Sequence, residues 1–427
     1  MVPAPSVGAP DHGASPQPPR DLQAVTQTVT GTVTAAEPRW NDGGDRIFTH
    51  VDIALADGST MTVRQPGGTV GDIGMVQYPS PPLLRPGDRV EASVAQLGAS
   101  PGWSMLDVTS LARQDLGPVT LPPGHDDGKG WPGSQMLDDT PQHHEFVRTM
   151  TDQRAPLYWG SGCAYIVFDS QGTTHLADEQ EFEILERTLA HWRDSTASCS
   201  YMEFVIEEPR PMEVGYDGFN VVKFREDRWC RPPPAGQTEP ECHQPNAAGL
   251  TTLTFINNPD SDRYGEILDA DIELNGAITF AFSADGVTLG PAGRELADLA
   301  NTFTHEVGHF LGLDHACRIA SEPVRLDHDG REVPLCGGAL LEATMHPTQE
   351  SGETKKASLE QDDIMGAGAI HPVADDPRRC AAVDLTPRRR YCTVAPDSGA
   401  GAGGALAALG LLAGGVLLLR RRRGAHR

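Results

Sequence analysis

The hydrophobic and polar positions of the first third of the chain follow the short alternation that is typical of β-structure. Between residues 24 and 115, runs rich in Val, Thr and Ile are separated by turn clusters of Gly, Pro, Asn and Asp. This pattern predicts five strands: Val25–Val33, Ile47–Leu55, Thr60–Val63, Arg89–Val94 and Met105–Thr109. Five short strands with glycine-rich turns predict a small all-β barrel that is OB-like. We expect a structural or protein-contact role for this domain.

From Pro156 onwards the pattern changes to alternating strands and helices, which predicts an α+β domain. Large apolar residues recur on one helical face of Ala177–Ser195. A second helix is predicted to begin near Pro291, and a third to span Leu359–Ile370 with Ser358 as its N-cap. The strands predicted in this region are Cys163–Asp169, Tyr201–Ile206, Asn220–Phe224, Leu250–Ile256 and Ile267–Leu274.

The second predicted helix contains the sequence HEVGHFLGLDH at residues 305–315. His305 and His309 lie one helical turn apart, so they project from the same face. Gly312 leaves helical geometry at little cost, which allows the chain to turn and bring His315 towards them. The opposite face carries an apolar stripe that can pack on a core, formed by Leu296, Leu299, Ala300, Phe303, Val307 and Phe310.

Three imidazoles at this spacing predict a zinc site. Neutral imidazoles suit Zn²⁺, and three protein ligands leave one coordination position for water, as in catalytic zinc sites. Glu306 follows the first histidine directly, where its carboxylate can accept a proton from that water. The alternative is a chance His-Glu-x-x-His on a solvated helix, but the glycine and third histidine at the required offsets argue against it.

The segment HEVGHFLGLDH resembles the zinc-binding segment of the metzincin peptidases, and its GLDH ending is most similar to the matrixins. Residues 343–347, ATMHP, resemble the matrixin Met-turn, although His346 stands where matrixins usually carry tyrosine. The resemblance covers about residues 156–373. It implies a twisted sheet with a zinc helix and a C-terminal helix, with zinc bound by His305, His309 and His315, Glu306 as catalytic base, and Gly312, Met345 and Pro347 shaping the site.

The chain departs from the matrixin pattern in two ways that change these expectations. Matrixins commonly bind a second, structural zinc through histidines upstream of the active helix. No histidine occurs between His243 and His305, so we expect one zinc only. No cysteine precedes residue 160 either, which excludes a matrixin-style cysteine switch from this sequence.

A cluster of oxygen ligands precedes the zinc helix and raises the question of calcium. Oxygen ligands gather within a short span at Asn257, Asn258, Asp260, Asp262, Asp269, Asp271 and Glu273, and the candidate calcium ligands are Asp260, Asp262, Asp269 and Asp271. Calcium prefers such hard, anionic ligands. An acidic, solvated strand edge would have the same composition in a protein this acidic. Both interpretations remain open, and the spacing does not fit an EF-hand loop.

The charge and the cysteines restrict the partners and the compartment. A formal net charge of −25 argues against a nucleic-acid partner, because phosphate contacts require clustered Lys and Arg. The eight cysteines fall into near pairs, which predicts disulfides and an extracytoplasmic location: Cys163 with Cys199, Cys230 with Cys242, Cys317 with Cys336, and Cys380 with Cys392. Sequence alone cannot fix the connectivity, and reduced, buried thiols are the alternative.

The domains are joined by segments of low hydrophobicity. We expect disorder at residues 1–23, a Gly/Pro-rich linker at 116–155 and a cysteine-containing linker at 374–398. Residues 1–22 show no signal-peptide pattern, which conflicts with an extracytoplasmic location. We therefore expect the true start of the protein to lie upstream of Met1, with unconventional export as the alternative.

Residues 399–427 are predicted to be a membrane anchor. Gly399–Leu419 contains 21 residues without a charge, and four arginines follow at 420–423. That length can span a bilayer, and the arginines predict a cytoplasmic end. The segment resembles the C-terminal sorting tails of bacterial surface proteins, which implies a sorting protease as partner and cleavage near Ser398–Gly404.

Together these observations predict a secreted or surface-anchored zinc-dependent endopeptidase that hydrolyses protein or peptide substrates. A zinc-activated water would attack the peptide carbonyl, with Glu306 as general base. The alternative is a catalytically silent zinc-containing surface adhesion or scaffolding protein. An intact Glu306 and Gly312 argue against it, because an inactive protein need not keep them.

Overall fold

A closed five-stranded barrel forms the N-terminal part of the computed structural model, which describes residues 25–79, 81–96, 102–112, 146–233, 240–277, 280–283 and 295–385. The strands described before residue 113 are β1 Val25–Trp40, β2 Ile47–Leu55, β3 Thr60–Pro66, β4 Gly68–Val70, β5 Ile73–Tyr78, β6 Arg89–Gln96 and β7 Trp103–Ala112. The barrel order is β1-β2-β3-β7-β6. These five are the strands that the hydrophobic pattern predicts, and alternate side chains such as Val51 and Ile53 fill the barrel.

Several predicted segments lie outside the described residues. They are the N-terminal segment, most of the first linker, residues 386–398 of the second linker and the whole of Gly399–Leu419. In the part of the chain that the structure describes, no helix combines the length and the apolar character needed to cross a membrane.

Strands β4 and β5 leave the barrel and join a second sheet, which the hydrophobic pattern does not predict. Strand β5 pairs antiparallel with residues 251–256, so that Tyr78 lies opposite Thr251 and Ile73 lies opposite Ile256. Strand β4 pairs with residues Ile73–Met75 on the outer side of β5. The barrel region and the region after residue 146 therefore share a continuous sheet.

The second sheet is mixed, in keeping with the predicted α+β class. The strands described after residue 146 are β8 Val147–Arg148, β9 Tyr158–Trp159, β10 Cys163–Asp169, β11 Glu203–Arg210, β12 Asn220–Arg225, β13 Cys230–Arg231, β14 Glu241–Cys242, β15 Gly249–Ile256, β16 Glu266–Asn275, β17 Phe280–Ser283, β18 Glu295–Asp298 and β19 Leu313–Asp314. The sheet order is β11-β10-β12-β16-β15-β5-β4, with β9 beside β16. Strands β10, β11, β12 and β16 are parallel, and β15 is antiparallel to β16.

Three α-helices are described: α1 Gln180–Thr196, α2 Leu299–Phe310 and α3 Gln361–Ile370, with short 3-10 turns at Gly338–Leu341, Lys355–Ala357 and Val373–Asp375. The predicted start of α2 near Pro291 is wrong, because residues 295–298 form β18 and pair with β17. The Asp298 side chain then caps α2 by accepting a hydrogen bond from the Asn301 amide at 2.8 Å. Glu360, rather than Ser358, caps α3.

Two buried tryptophans fix α2 within the core. The Trp192 indole on α1 donates a hydrogen bond to the Thr304 carbonyl at 3.1 Å. The Trp159 indole on β9 donates to the Phe310 carbonyl at 2.9 Å. Both rings are fully buried, and an indole N–H in a core needs such a partner. Their bonds hold the middle and the end of α2 in place.

Three disulfides are formed among the described cysteines, and one of them corrects the predicted pairing. Cys230–Cys242 and Cys317–Cys336 join near neighbours as predicted. Cys163, however, is bonded to Cys380. The predicted pairs Cys163 with Cys199 and Cys380 with Cys392 are therefore both wrong, and Cys392 lies outside the described residues. The chain after α3 returns to the start of β10, where the Gly162 amide donates to the Arg379 carbonyl at 2.9 Å. Cys199 remains a thiol in the described structure. The three bonds indicate an oxidising environment.

Candidate metal centre

The three histidines of the HEVGHFLGLDH segment converge on one point. His305 and His309 lie on α2, and His315 follows β19. One ring nitrogen from each lies within 4.8 Å of the others. The Nε2 atoms of His309 and His315 are 3.2 Å apart. All three side chains are buried.

Backbone carbonyls fix the tautomers of the two helical histidines. The Nδ1 atom of His305 lies 2.7 Å from the Thr344 carbonyl oxygen. The Nδ1 atom of His309 lies 2.9 Å from the Leu313 carbonyl oxygen. A carbonyl only accepts hydrogen bonds, so each Nδ1 must carry the hydrogen. The lone pair of each neutral ring is therefore on Nε2, as in metal-ligating histidines whose other nitrogen is hydrogen-bonded.

Gly312 provides the turn that brings His315 to the other two rings. Its φ is +97°, a conformation that L side chains rarely adopt. Its amide donates to the His309 carbonyl at 2.9 Å, which ends α2. Its own carbonyl accepts from the Thr149 amide at 2.8 Å. The predicted role of Gly312 in redirecting the chain agrees with this geometry.

An ion pair holds the loop that carries His315. The Arg325 guanidinium lies 2.5 Å from the Asp314 carboxylate and donates a second hydrogen bond to the His315 carbonyl at 2.9 Å. Arg325 belongs to the segment between Cys317 and Cys336. The disulfide-bonded segment thus contacts His315 directly, and its conformation affects the position of that histidine.

Burial keeps the three imidazoles in the form that binds metals. It lowers the pKa of His309 to about 3, and it holds the pKa values of His305 and His315 well below their usual range. The Lys356 ammonium group lowers the pKa of His305 further. All three rings are therefore neutral near pH 7, and only neutral imidazole offers a lone pair to a cation.

The donor set fits zinc. Two nitrogens bound at 2.0–2.1 Å to one tetrahedral ion lie about 3.3 Å apart. The observed separation of 3.2 Å between the Nε2 atoms of His309 and His315 is close to that value. Two unprotonated nitrogens this close would repel each other without a cation between them, unless one ring shifts its hydrogen.

Glu306 is buried beside the histidines, and it lies against strand β15. The Thr251 hydroxyl on β15 donates to its Oε2 atom at 2.5 Å. Gly249 leaves room for the carboxylate, because a Cβ there would lie 2.6 Å from Oε1. Burial raises the pKa of Glu306 to about 8, against the opposing effects of the Thr251 hydrogen bond and the Lys356 charge. A carboxyl group with this pKa can both accept and return a proton near neutral pH.

Met345 lies against helix α2, the position that the resemblance to the matrixin Met-turn leads us to expect. Its sulfur occupies the space above Gly308, where any Cβ would overlap it. Its carbonyl accepts from the Ala316 amide at 3.0 Å, next to His315. The turn is completed by the His346 amide, which donates to the Ala343 carbonyl at 3.1 Å. Pro347 follows and lines the adjoining cleft.

Three residues near the site are not identified by sequence reasoning. Tyr78 stacks on the His309 ring, with centroids 4.2 Å apart and planes 6° apart. Thr251 holds Glu306, and the buried Lys356 ammonium group donates to the His346 carbonyl at 2.7 Å. No local pattern marks any of them, because their roles depend on strands and loops remote in sequence. The position of the Tyr78 side chain beside His309 cannot be predicted from the sequence, because Tyr78 belongs to the region that is predicted to form a separate barrel domain.

The four predicted calcium ligands are not brought together. Asp260 and Asp262 are exposed, whereas Asp269 and Asp271 are buried on β16. The buried carboxylates accept backbone hydrogen bonds, including 2.7 Å from the Gly218 amide to Asp269 and 2.7 Å from the Gly215 amide to Asp271. Among the described residues, no cluster of three potential metal ligands contains any of the four. Calcium stays a prediction that the geometry does not favour.

A second group of potential ligand atoms comprises Cys317, Cys336 and His346. The two sulfurs are joined in a disulfide. Disulfide sulfur lacks the negative charge of the thiolate that binds metals. This group is therefore a weaker candidate for a metal site than the three histidines.

A cleft of about 1580 Å³ is lined by His305 and His315. Its walls come from both parts of the chain. The barrel region contributes Gln77, Tyr78 and Leu106, and the later region contributes Gly249, His305 and His315. The volume of this cleft exceeds the range that is typical of small-molecule sites.

No protein-family model matches this chain, and no curated protein matches it. The interpretation of the site therefore rests on the three convergent imidazoles, the adjoining Glu306 carboxylate and the cleft that His305 and His315 line.

Proposed function

We propose that the protein is a zinc-dependent endopeptidase of the metzincin type, similar to the matrixins. The observation that carries the proposal is the convergence of one ring nitrogen each from His305, His309 and His315 on one point. The OB-like interpretation of the closed barrel is part of the same proposal. So is the assignment of residues 156–373 to a metzincin-like fold, supported by the sheet order, α2 and the position of Met345.

The chain's own residues divide the work at the site. A zinc ion held by the three imidazoles supplies Lewis acidity for the scissile carbonyl and lowers the pKa of water. Glu306 accepts a proton from the attacking water and returns it to the leaving amine. The Thr251 hydroxyl orients the Glu306 carboxylate through its 2.5 Å hydrogen bond. Burial raises the pKa of Glu306 in the metal-free chain, and a bound zinc ion would oppose that rise and favour the carboxylate that accepts the proton.

The substrate class follows from the shape and the surroundings of the cleft. Strand β15 carries Gly249 and Thr251 beside Glu306. Extended polypeptides bind proteins by adding a strand to a sheet edge, but β5 already pairs with that side of β15. A polypeptide substrate is therefore proposed from the adjoining cleft, whose volume of about 1580 Å³ exceeds the range that is typical of small-molecule sites.

We propose that the protein acts outside the cytoplasm, at the cell envelope or after secretion. The three disulfides support an oxidising environment. The sorting-tail interpretation of residues 399–427, with a sorting protease as partner, rests on sequence alone.

The experiment that tests the function is cleavage of fluorescently labelled casein by purified protein. We expect turnover, before or after limited proteolysis, that 1,10-phenanthroline abolishes and that added Zn²⁺ restores. Serine- and cysteine-protease inhibitors serve as controls and should leave turnover unchanged. Protein that binds zinc but cleaves neither casein nor a mixed peptide library, even after limited proteolysis, would instead support the adhesion or scaffolding alternative.

A further inference from the structure

Strand β5 occupies the edge of the sheet closest to Glu306. Residues 73–78 pair antiparallel with residues 251–256 of β15. In the sheet order, β15 would be the terminal strand if β4 and β5 were absent. The backbone of β15 would then present unpaired amides and carbonyls beside the metal centre, which is the kind of edge that takes up an extended polypeptide.

The end of β5 reaches the metal-binding side chains. Tyr78, its last residue, lies opposite Thr251, whose hydroxyl holds Glu306. The Tyr78 ring stacks on His309 at 4.2 Å and meets the edge of His315 at 6.1 Å. A side chain of a substrate bound along β15 would have to enter the same space. The chain therefore places one of its own aromatic residues where a substrate side chain is expected.

Buried polar contacts hold β5 in this position. The Arg46 guanidinium donates to the Gln77 side chain at 2.6 Å and pairs with the Glu241 carboxylate at 3.0 Å. The Tyr78 hydroxyl donates to Thr149 at 2.9 Å. These bonds connect β5 to the barrel on one side and to the metal-binding region on the other. Because they are buried, breaking them leaves unsatisfied polar groups, and β5 does not detach easily.

We propose that β5 is an internal occupant of the substrate-binding edge and that it keeps the intact chain latent. This inference rests on the proposed endopeptidase function. An extended polypeptide has to displace β5, or β5 has to be released by cleavage of the chain, before a scissile bond reaches Glu306. The N-terminal barrel region then acts as an inhibitory domain through strand β5 and the Tyr78 ring, without a metal-binding cysteine.

The test compares full-length, zinc-loaded Tyr78→Ala and Tyr78→Phe with the wild type. Tyr78→Ala removes the ring that covers His309, and we expect casein turnover to rise about tenfold, the order expected for losing one stacked aromatic contact. Tyr78→Phe keeps the ring but loses the hydrogen bond to Thr149, so we expect a smaller rise in turnover than in Tyr78→Ala. A fall in turnover for Tyr78→Ala at unchanged zinc content overturns the proposal, because Tyr78 would then be a wall of the working site.

Two further readouts do not depend on turnover. The first is the affinity of the hydroxamate Pro-Leu-Gly-NHOH for the same three proteins in a Glu306→Gln background, and we expect it to be tighter in Tyr78→Ala. The second is hydrogen–deuterium exchange of the wild type, which needs no variant to fold. Saturating hydroxamate should expose the amides of residues 73–78 while residues 249–256 stay protected.

Unchanged protection of residues 73–78 in the hydroxamate complex, together with equal affinity of the three proteins, overturns the inference. The test of the β5 inference can be distinguished from the test of the proposed endopeptidase function. If all proteins bind zinc and none cleaves casein, even after limited proteolysis, the endopeptidase proposal fails, and the hydroxamate measurements still decide whether β5 blocks the edge.

Discussion

The Thr251 hydroxyl donates a hydrogen bond to the Glu306 carboxylate at 2.5 Å, across the contact between β15 and α2. The bond opposes the effect of burial on Glu306, because it stabilises the ionised form and lowers the pKa of the carboxyl. It also fixes which carboxylate oxygen remains available for proton transfer. Thr251 is thus a positioning residue, whose removal should be visible in the pH dependence of turnover.

Thr251→Val should shift the acidic limb of the pH profile upward. Without the hydrogen bond, the pKa of Glu306 rises, so a higher pH is needed to produce the carboxylate that accepts the proton. We expect the midpoint of the acidic limb to move to higher pH, with turnover reduced on that limb and recovering above it, measured as kcat/KM between pH 5 and 9. Thr251→Ser keeps the hydroxyl and is the matched control. An unshifted profile in Thr251→Val would separate Thr251 from the function of Glu306.

Glu306→Gln should leave zinc binding and folding intact while removing the base. The amide is similar in size to the carboxylate and can still accept the Thr251 hydrogen bond, but it cannot take up a proton. We expect kcat to fall by roughly 10²–10⁴-fold, the range for a general base. Zinc content and the thermal unfolding midpoint are measured on the same sample. Turnover near that of the wild type would contradict the assigned role.

Gly249→Ala should disturb the carboxylate without touching the histidines. The added Cβ would lie 2.6 Å from Glu306 Oε1, so the carboxylate must move. A displacement of about 1 Å can cost about 10²-fold in rate. The control is Gly337→Ala, because a Cβ there meets nothing within 4 Å and its backbone is extended. We expect a selective loss of kcat in Gly249→Ala, with zinc retained in both variants.

The Cys163–Cys380 disulfide should contribute strongly to stability. It closes a loop with a sequence separation of 217 residues. Replacing both cysteines by serine should lower the free energy of unfolding by about 2–5 kcal/mol, the usual range for a native disulfide. Cys199→Ser is the control and should have a smaller effect. Non-reducing peptide mapping checks the pairing directly, and a Cys163–Cys199 peptide would contradict it.

The local sequence is sufficient to predict much of the metal helix. Helical periodicity places His305 and His309 on the same face, and Gly312 predicts the turn that leads to His315. The five barrel strands also follow from alternation and turn residues. The start of α2 could not be predicted in the same way, because residues 295–298 are held in a parallel pair with β17. That pairing depends on tertiary structure.

The parts of the site that join distant segments are not visible in any local pattern. Tyr78 reaches His309 only because β5 leaves the barrel and extends the second sheet. Thr251 faces Glu306 because β15 packs on α2. Cys163 meets Cys380 because the segment after α3 returns to β10. Near neighbours in sequence were the wrong guide for this disulfide, since loop length does not determine which cysteines approach each other.

The central claim is that His305, His309 and His315 together bind one zinc ion. The most direct test is the zinc content of purified protein, measured by inductively coupled plasma mass spectrometry after dialysis against a weak chelator. The account predicts one zinc per chain in the wild type and in Glu306→Gln, and a large loss in each of His305→Ala, His309→Ala and His315→Ala. Full zinc occupancy in all three histidine variants would contradict it.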